Sequence, residues 1–205
     1  MGWYGEHVLP RMIHWAMANQ KLGRERAHTL AGLSGRVLEV GFGSGLNLPH
    51  YPPEVTELLA LEPSRVAREL AAPAVVAAPF PVEFLGLRGE EVPLDTASVD
   101  AVVSTWTLCT IPDVARALGE IARVLRPGAP LHFIEHGLAE EPRTQRWQRR
   151  LEPLQKRAFG GCHLTRPIDA LVRAAGLELP DVERWTFGRP HALSAFYRGV
   201  ARRRG

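Results

Sequence analysis

The sequence predicts an α/β domain: a doubly wound, mostly parallel seven-stranded sheet, with a helical segment ahead of it at the N-terminus. Three observations carry this. Short runs of β-branched and apolar residues alternate with stretches of helical periodicity, the pattern of parallel strands joined by crossover helices. The first such run, Arg36-Val-Leu-Glu-Val40, stops at three glycines spaced by two, Gly41, Gly43 and Gly45. The run from Val99 to Ser104 is nearly all apolar, as a strand covered on both faces should be.

Residues 3 to 32 precede the first strand. Val8, Leu9, Met12, Ile13, Ala16 and Met17 recur at three-to-four spacing with Trp15 beside them, which predicts an amphipathic helix with Pro10 near its start. Leu22 to Leu30 is a second, more charged helix. Strand one spans about 36–40, and the helix after its glycines, from about 46–48, is kept short by Pro49, Pro52 and Pro53. Strand two is 57–61, with a helix from Ser64 to Leu70 or beyond. Strand three is 82–87 and strand four 99–104. The helix after Pro112-Asp113 places Val114, Ala117, Leu118, Ile121, Val124 and Leu125 on one side and stops at Arg126-Pro127-Gly128. Strand five is 131–135. An Arg-rich helix covers 143–157, another 167–175, and two strands near 182–187 and 193–199 complete the sheet. This divides the chain into a helical segment (1–34), a sheet domain (35–200) and a basic, mobile tail (201–205).

In an open parallel sheet, ligands bind beyond the carboxyl ends of the strands, where the strand order reverses. The glycine turn after strand one suits a nucleotide-type cofactor, because glycine lets the backbone bend sharply and approach a ligand. Its spacing excludes two familiar loops. A dinucleotide fingerprint needs its third glycine at position 46, which is Leu, and no Gly-Lys-Ser/Thr follows to make a P-loop. Glu39, two residues before Gly41, favours a ligand carrying a cationic ammonium and disfavours a pyrophosphate. Glu62, at the end of strand two before Pro63, is placed to accept both hydroxyls of a ribose; its alternative is to partner the helix that follows Ser64. Strand three leads to Arg88-Gly89-Glu90, strand four to Ser104 through Asp113, and strand five to Glu135-His136-Gly137. A histidine at such a strand end is a candidate general base; its alternative is a ring held by local hydrogen bonds.

Composition narrows the class. The chain has 205 residues and a net charge of +3, and Lys21 and Lys156 are its only lysines. That modest, dispersed excess argues for a solvated surface over a nucleic-acid partner. No apolar run approaches the ~20 residues that span a bilayer, and no signal peptide is visible. Cys109 and Cys162 are far apart and match no metal spacing, nor do the eight histidines. The expectation is a cytoplasmic protein without a metal.

Glu39-x-Gly41-x-Gly43-x-Gly45 resembles motif I of the class I S-adenosylmethionine-dependent methyltransferases, which implies their Rossmann-like fold and S-adenosylmethionine as cofactor. Ser98-Val-Asp100, Leu108-Cys109-Thr110, Pro127-Gly128, Glu135-His136 and Gly161-Cys162-His163-Leu-Thr165-Arg166 narrow the resemblance to the thiol methyltransferases of animal membranes and their soluble bacterial relatives, over about 36–200. The resemblance implies cofactor contacts from Glu39, Gly41, Gly43, Gly45, Asn47, Glu62, Pro63, Gly89, Glu90, Thr105 and Trp106. It also implies His136 as the catalytic group, and Trp15, Thr107, Cys109, Cys162 and His163 as substrate neighbours. Residues 1–34 become a lid over the cofactor; packing against the domain and a weak membrane-surface contact stay open. A thiol, with a pKa of about 8.5, needs little base strength, so a small thiol is the first acceptor to expect. O-, N- or C-methylation of a metabolite or lipid headgroup, RNA modification and a non-catalytic cofactor-binding module are the alternatives.

Overall fold

The computed structural model describes residues 4–85 and 90–204. Strands β1 (Gly35–Val40), β2 (Val55–Leu61), β3 (Val82–Phe84), β4 (Ala101–Thr105) and β5 (Pro130–His136) run parallel, in the order β3-β2-β1-β4-β5. β8 (Ala195–Arg203) pairs antiparallel with β5, and both β6 (Leu177–Glu178) and β7 (Val182–Thr186) pair antiparallel with β8. The strand order reverses between β1 and β4, so a cleft forms at their carboxyl ends.

Alternation along each strand explains why both faces are covered. Leu38, Val40, Leu59, Leu61, Val102, Leu131 and Phe133 point into one core, shared with α4 (Val114–Val124) and α6 (Ile168–Ala174). Val37, Leu58, Ala60, Ala101 and Val103 point the other way, into a core completed by Leu30, Phe42, Leu48, Ala71 and Phe80. That second face receives α2 (Gln20–Leu30) and α3 (Arg65–Val76). The apolar stripe expected on α4 is buried from Val114 to Val124, and the Asp113 carboxylate caps the helix by accepting from the Arg116 N–H at 3.0 Å. The Arg-rich α5 (Pro142–Ala158) docks through polar groups: buried Gln148 donates to the Gly137 carbonyl and accepts from the Ala139 N–H, both at 2.9 Å.

Several boundaries differ from the expected ones. The helix after the glycine turn is a single 3₁₀ turn, Leu48–His50. The described part of strand three ends at Phe84, and residues 86–89 lie outside the described residues. The sheet has an eighth, two-residue strand, β6. Residues 201–203, expected to be mobile, continue β8; Ala201 is fully buried opposite Leu131. The π-helical turn Tyr4–Val8 and α1 (Leu9–Met17) form as helix, but only Leu9 of the expected apolar face is buried. Ladder pairing and docking onto a neighbour decide these features, and neither leaves a local signal.

Candidate functional site

β1 and β2 deliver the turn. The peptide N–H groups of Gly41 and Phe42 both donate to the Leu61 carbonyl at 3.0 Å, tying the end of β1 to the end of β2. Gly41 has φ of 75°, and a Cβ there would meet the Thr107 side chain at 2.0 Å, so the strand ends close together only with glycine at this position. At Gly43 the nearest atom to a Cβ would be 3.9 Å away, leaving open space beside the turn. Glu62 holds that turn: one carboxylate oxygen accepts from the Gly43 N–H and the other from the Ser64 N–H, each at 2.7 Å. Burial raises its pKa, against those two hydrogen bonds. Glu62 thus holds the residue that caps α3, Ser64, without capping the helix itself, and each of its oxygens keeps a lone pair for a further donor.

Glu39 is turned inward. Its carboxylate is 1% exposed and accepts from Asn47 Nδ2 at 2.6 Å and from the Tyr51 hydroxyl at 2.7 Å. Burial outweighs these bonds and raises its pKa to about 7. Asn47 passes the network on: its Oδ1 accepts from Arg26 Nη1 at 2.9 Å, and its Nδ2 also reaches Thr105 Oγ1 at 3.1 Å. Arg26 was not foreseen. It is 5% exposed, stacks over the Trp106 ring at 4.6 Å, and is held at a pKa of about 10 by desolvation. The signal was available: Leu22, Arg26, Thr29 and Leu30 share the buried face of α2, where an arginine is out of place unless partnered. Trp106 itself has φ of 53°, unusual for a bulky residue, and its buried Nε1–H has no acceptor among the described residues.

Beyond β4 and β5 lie two buried thiols in contact. Fully buried Glu135 accepts from the Ser104 hydroxyl at 2.7 Å and from the N–H groups of Thr107, Leu108 and Cys109 at 3.0, 3.0 and 3.2 Å. This fixes the loop carrying Cys109. The Cys162 sulfur lies 3.7 Å from the Cys109 sulfur and 3.6 Å from Nδ1 of His136. The His136 ring stacks on Phe196 at 4.6 Å, and Phe196 also packs edge-on against Trp106. The hydrogen bond with Cys109 pushes the Cys162 thiol down, with His136 adding to the effect, while the same bond and burial push the Cys109 thiol well up. The absence of a metal spacing in the sequence therefore did not anticipate this cluster of two thiols and an imidazole.

The matched family model, described as a methyltransferase domain, covers residues 38–133, from β1 to β5. The human thiol S-methyltransferase TMT1A is 35% identical over 174 residues, which are 78% of this chain and 70% of that protein. The mouse thiol S-methyltransferase TMT1B is 38% identical over 80% of this chain and 72% of its own length. The chain belongs to the class I S-adenosylmethionine-dependent methyltransferases. The methyltransferase shares its fold with a solved S-adenosylmethionine-dependent methyltransferase of Thermotoga maritima, at a TM-score of 0.71 and 21% identity over 99% of this chain and all of that one.

Its cofactor is S-adenosylmethionine, and the residues present suit that molecule: an open glycine turn, a carboxylate at the end of β2 and a buried indole donor without a partner among the described residues. A cavity of about 760 Å³ borders the methyltransferase's turn, lined by His14, Asn19, Arg26, Ser44, Gly45 and His50 among others. It reaches Arg26 and the turn but not Glu62 or Trp106. α1 closes over this side, with His14 Nδ1 2.7 Å from the Ser44 hydroxyl.

Some expected site residues fall elsewhere. Trp15 is 82% exposed on the outer side of α1, because that helix docks through Leu9 and His14. Nδ1 of His163 lies 3.3 Å from Glu152, and its peptide N–H donates to the Cys109 carbonyl at 2.8 Å, so its ring is engaged away from the thiols. Pro63 is exposed. Gly89 lies outside the described residues, and Glu90 sits in the turn that follows them. Thr107 is half-buried and packs on Gly41, beside the glycine turn. Among the described residues no helix is long and apolar enough to cross a membrane.

Proposed function

We propose that this methyltransferase methylates the sulfur of a small thiol, with His136 as the group that takes the thiol proton. The observation that carries the reading is the 35% identity to a thiol S-methyltransferase over 78% of the chain. The chemistry agrees with it. The cofactor supplies an electrophilic methyl carbon on a sulfonium; the protein's task is alignment and exclusion of water. Glu62 would take the ribose hydroxyls on its remaining lone pairs, and the glycine turn would leave room for the nucleoside. Arg26 offers a guanidinium to the cofactor's carboxylate, oriented by Asn47 and Thr105 and stacked on Trp106. Glu39 acts through Asn47, as a positioning residue. An imidazole is base enough for a thiol, whereas an unactivated alcohol calls for more. Trp106, Trp185, Phe187 and Phe196 form an aromatic cluster beside His136 that favours an apolar acceptor body.

The test is a panel of small thiols, amines and alcohols incubated with methyl-labelled cofactor. Label on thiols is expected; transfer confined to amines or alcohols overturns the acceptor. His136→Ala is expected to keep cofactor affinity by calorimetry and lose about 10²–10⁴-fold in turnover. Unchanged turnover removes His136 from the reaction.

A further inference from the structure

We propose that Cys109, Cys162 and His136 form a binding site for a soft d¹⁰ cation, Zn²⁺ being the ion to test, with one coordination position left for an exogenous ligand. One potential ligand atom from each residue lies within 4.8 Å of the other two. The spacing is that of ligands around one ion. Zn–S bonds of about 2.3 Å and Zn–N bonds of about 2.0 Å at tetrahedral angles set two sulfurs about 3.8 Å apart and sulfur and nitrogen about 3.5 Å apart. The corresponding separations here are 3.7 Å for the two sulfurs and 3.6 Å for Cys162 and His136.

The surroundings hold these groups in place, as a second shell around a metal does. Glu135 fixes the Cys109 backbone. The peptide N–H of His163 donates to the Cys109 carbonyl, pinning the loop that carries Cys162 to the loop that carries Cys109. Gly161, at φ of 91°, lets that loop pass the Thr110 carbonyl, which would be 3.4 Å from a Cβ. Phe196 sets the plane of the imidazole. Cys109 and Cys162 are 1% and 4% exposed, so the sulfurs are shielded from competing chemistry at the surface.

Coordination releases the protons of both cysteine thiols to solvent as the two S–metal bonds form. Two thiolates, an imidazole and an open fourth position suit a further thiolate. This last part rests on the thiol reading above, and the ion site itself does not. Metal binding and base catalysis draw on the same imidazole: His136 takes the thiol proton in the metal-free chain and is a ligand in the metal-loaded one.

The experiment is titration of the full chain with Zn²⁺ and Co²⁺ under a phosphine reductant. Expected are one equivalent bound and a thiolate-to-cobalt charge-transfer band. Cys162→Ser and Cys109→Ser are each expected to weaken binding at least about 100-fold and to diminish the band. Retained cofactor binding shows that a variant is folded; should Cys109→Ser fail to fold, Cys162→Ser and His136→Gln carry the comparison. Stoichiometric Zn²⁺ binding that is equal in wild type and variants, or no binding at micromolar ion, overturns the site. The two readings fail separately. Wild-type Zn²⁺ binding without methylation of any thiol removes the acceptor and leaves the site, whereas thiol methylation by a chain that binds no Zn²⁺ removes the site and leaves the acceptor.

Discussion

Arg26 and Glu39 are two buried charges that never touch; Asn47 stands between them and bonds to both. Each is shifted by desolvation toward its neutral form, Arg26 to a pKa of about 10 and Glu39 to about 7. Glu39 is the more consequential near neutrality. Its folded pKa lies above the ordinary 4.5, so the folded state holds a proton that the unfolded chain releases. Its stabilising contribution is fully present below about pH 4.5 and is lost as the pH rises through about 7. Glu39→Gln removes that titration. The wild type's advantage over the variant, read from urea midpoints, is expected to be largest near pH 4.5 and to shrink toward pH 8; an advantage that is flat or grows with pH contradicts the assignment. At this scale the sequence marked Glu39 by its step before Gly41 but expected it against the cofactor, whereas burial and its bonds to Asn47 and Tyr51 turn it inward. It did not disclose Arg26, which reaches the site from a helix that precedes the sheet.

Elements place the groups that single residues use. The carboxyl ends of β1 and β4 set Glu39 and Thr105 side by side, and α2 crosses over to add Arg26. The helix α4 was legible in its apolar stripe and its Pro-Gly stop, which are local signals; the structure adds the Asp113 cap. Asp113→Ala is expected to cost about 1 kcal/mol in denaturant unfolding without changing cofactor affinity, since it removes one cap bond far from the glycine turn. A loss of cofactor affinity in that variant shows that α4 is coupled to the site. α1 was the opposite case. Its periodicity predicted a buried face, yet Met12, Ile13 and Trp15 are exposed, because a nine-residue helix docked at Leu9 and His14 has no further surface to cover them.

For the whole molecule, closure of the sheet depends on its last strand. β8 lies between β5 on one side and β6 and β7 on the other, and Arg203 donates to carbonyls of Arg123 and Leu125 at the end of α4. Removing residues 201–205 is expected to destabilise the fold at about 1 kcal/mol per backbone hydrogen bond lost; an unchanged urea midpoint returns these residues to the status of a loose tail. By itself the sequence determined the alternation of strands and helices, the glycine turn and the carboxylate two residues before it, because those depend on periodicity, on glycine's backbone freedom and on steps of a few residues. Only the tertiary structure decided that Arg26 meets Asn47, that the last strand runs antiparallel into the sheet, and that Cys109, His136 and Cys162 converge. Such contacts join residues tens of positions apart, and a chain's order carries no record of which distant segments its packing will bring together.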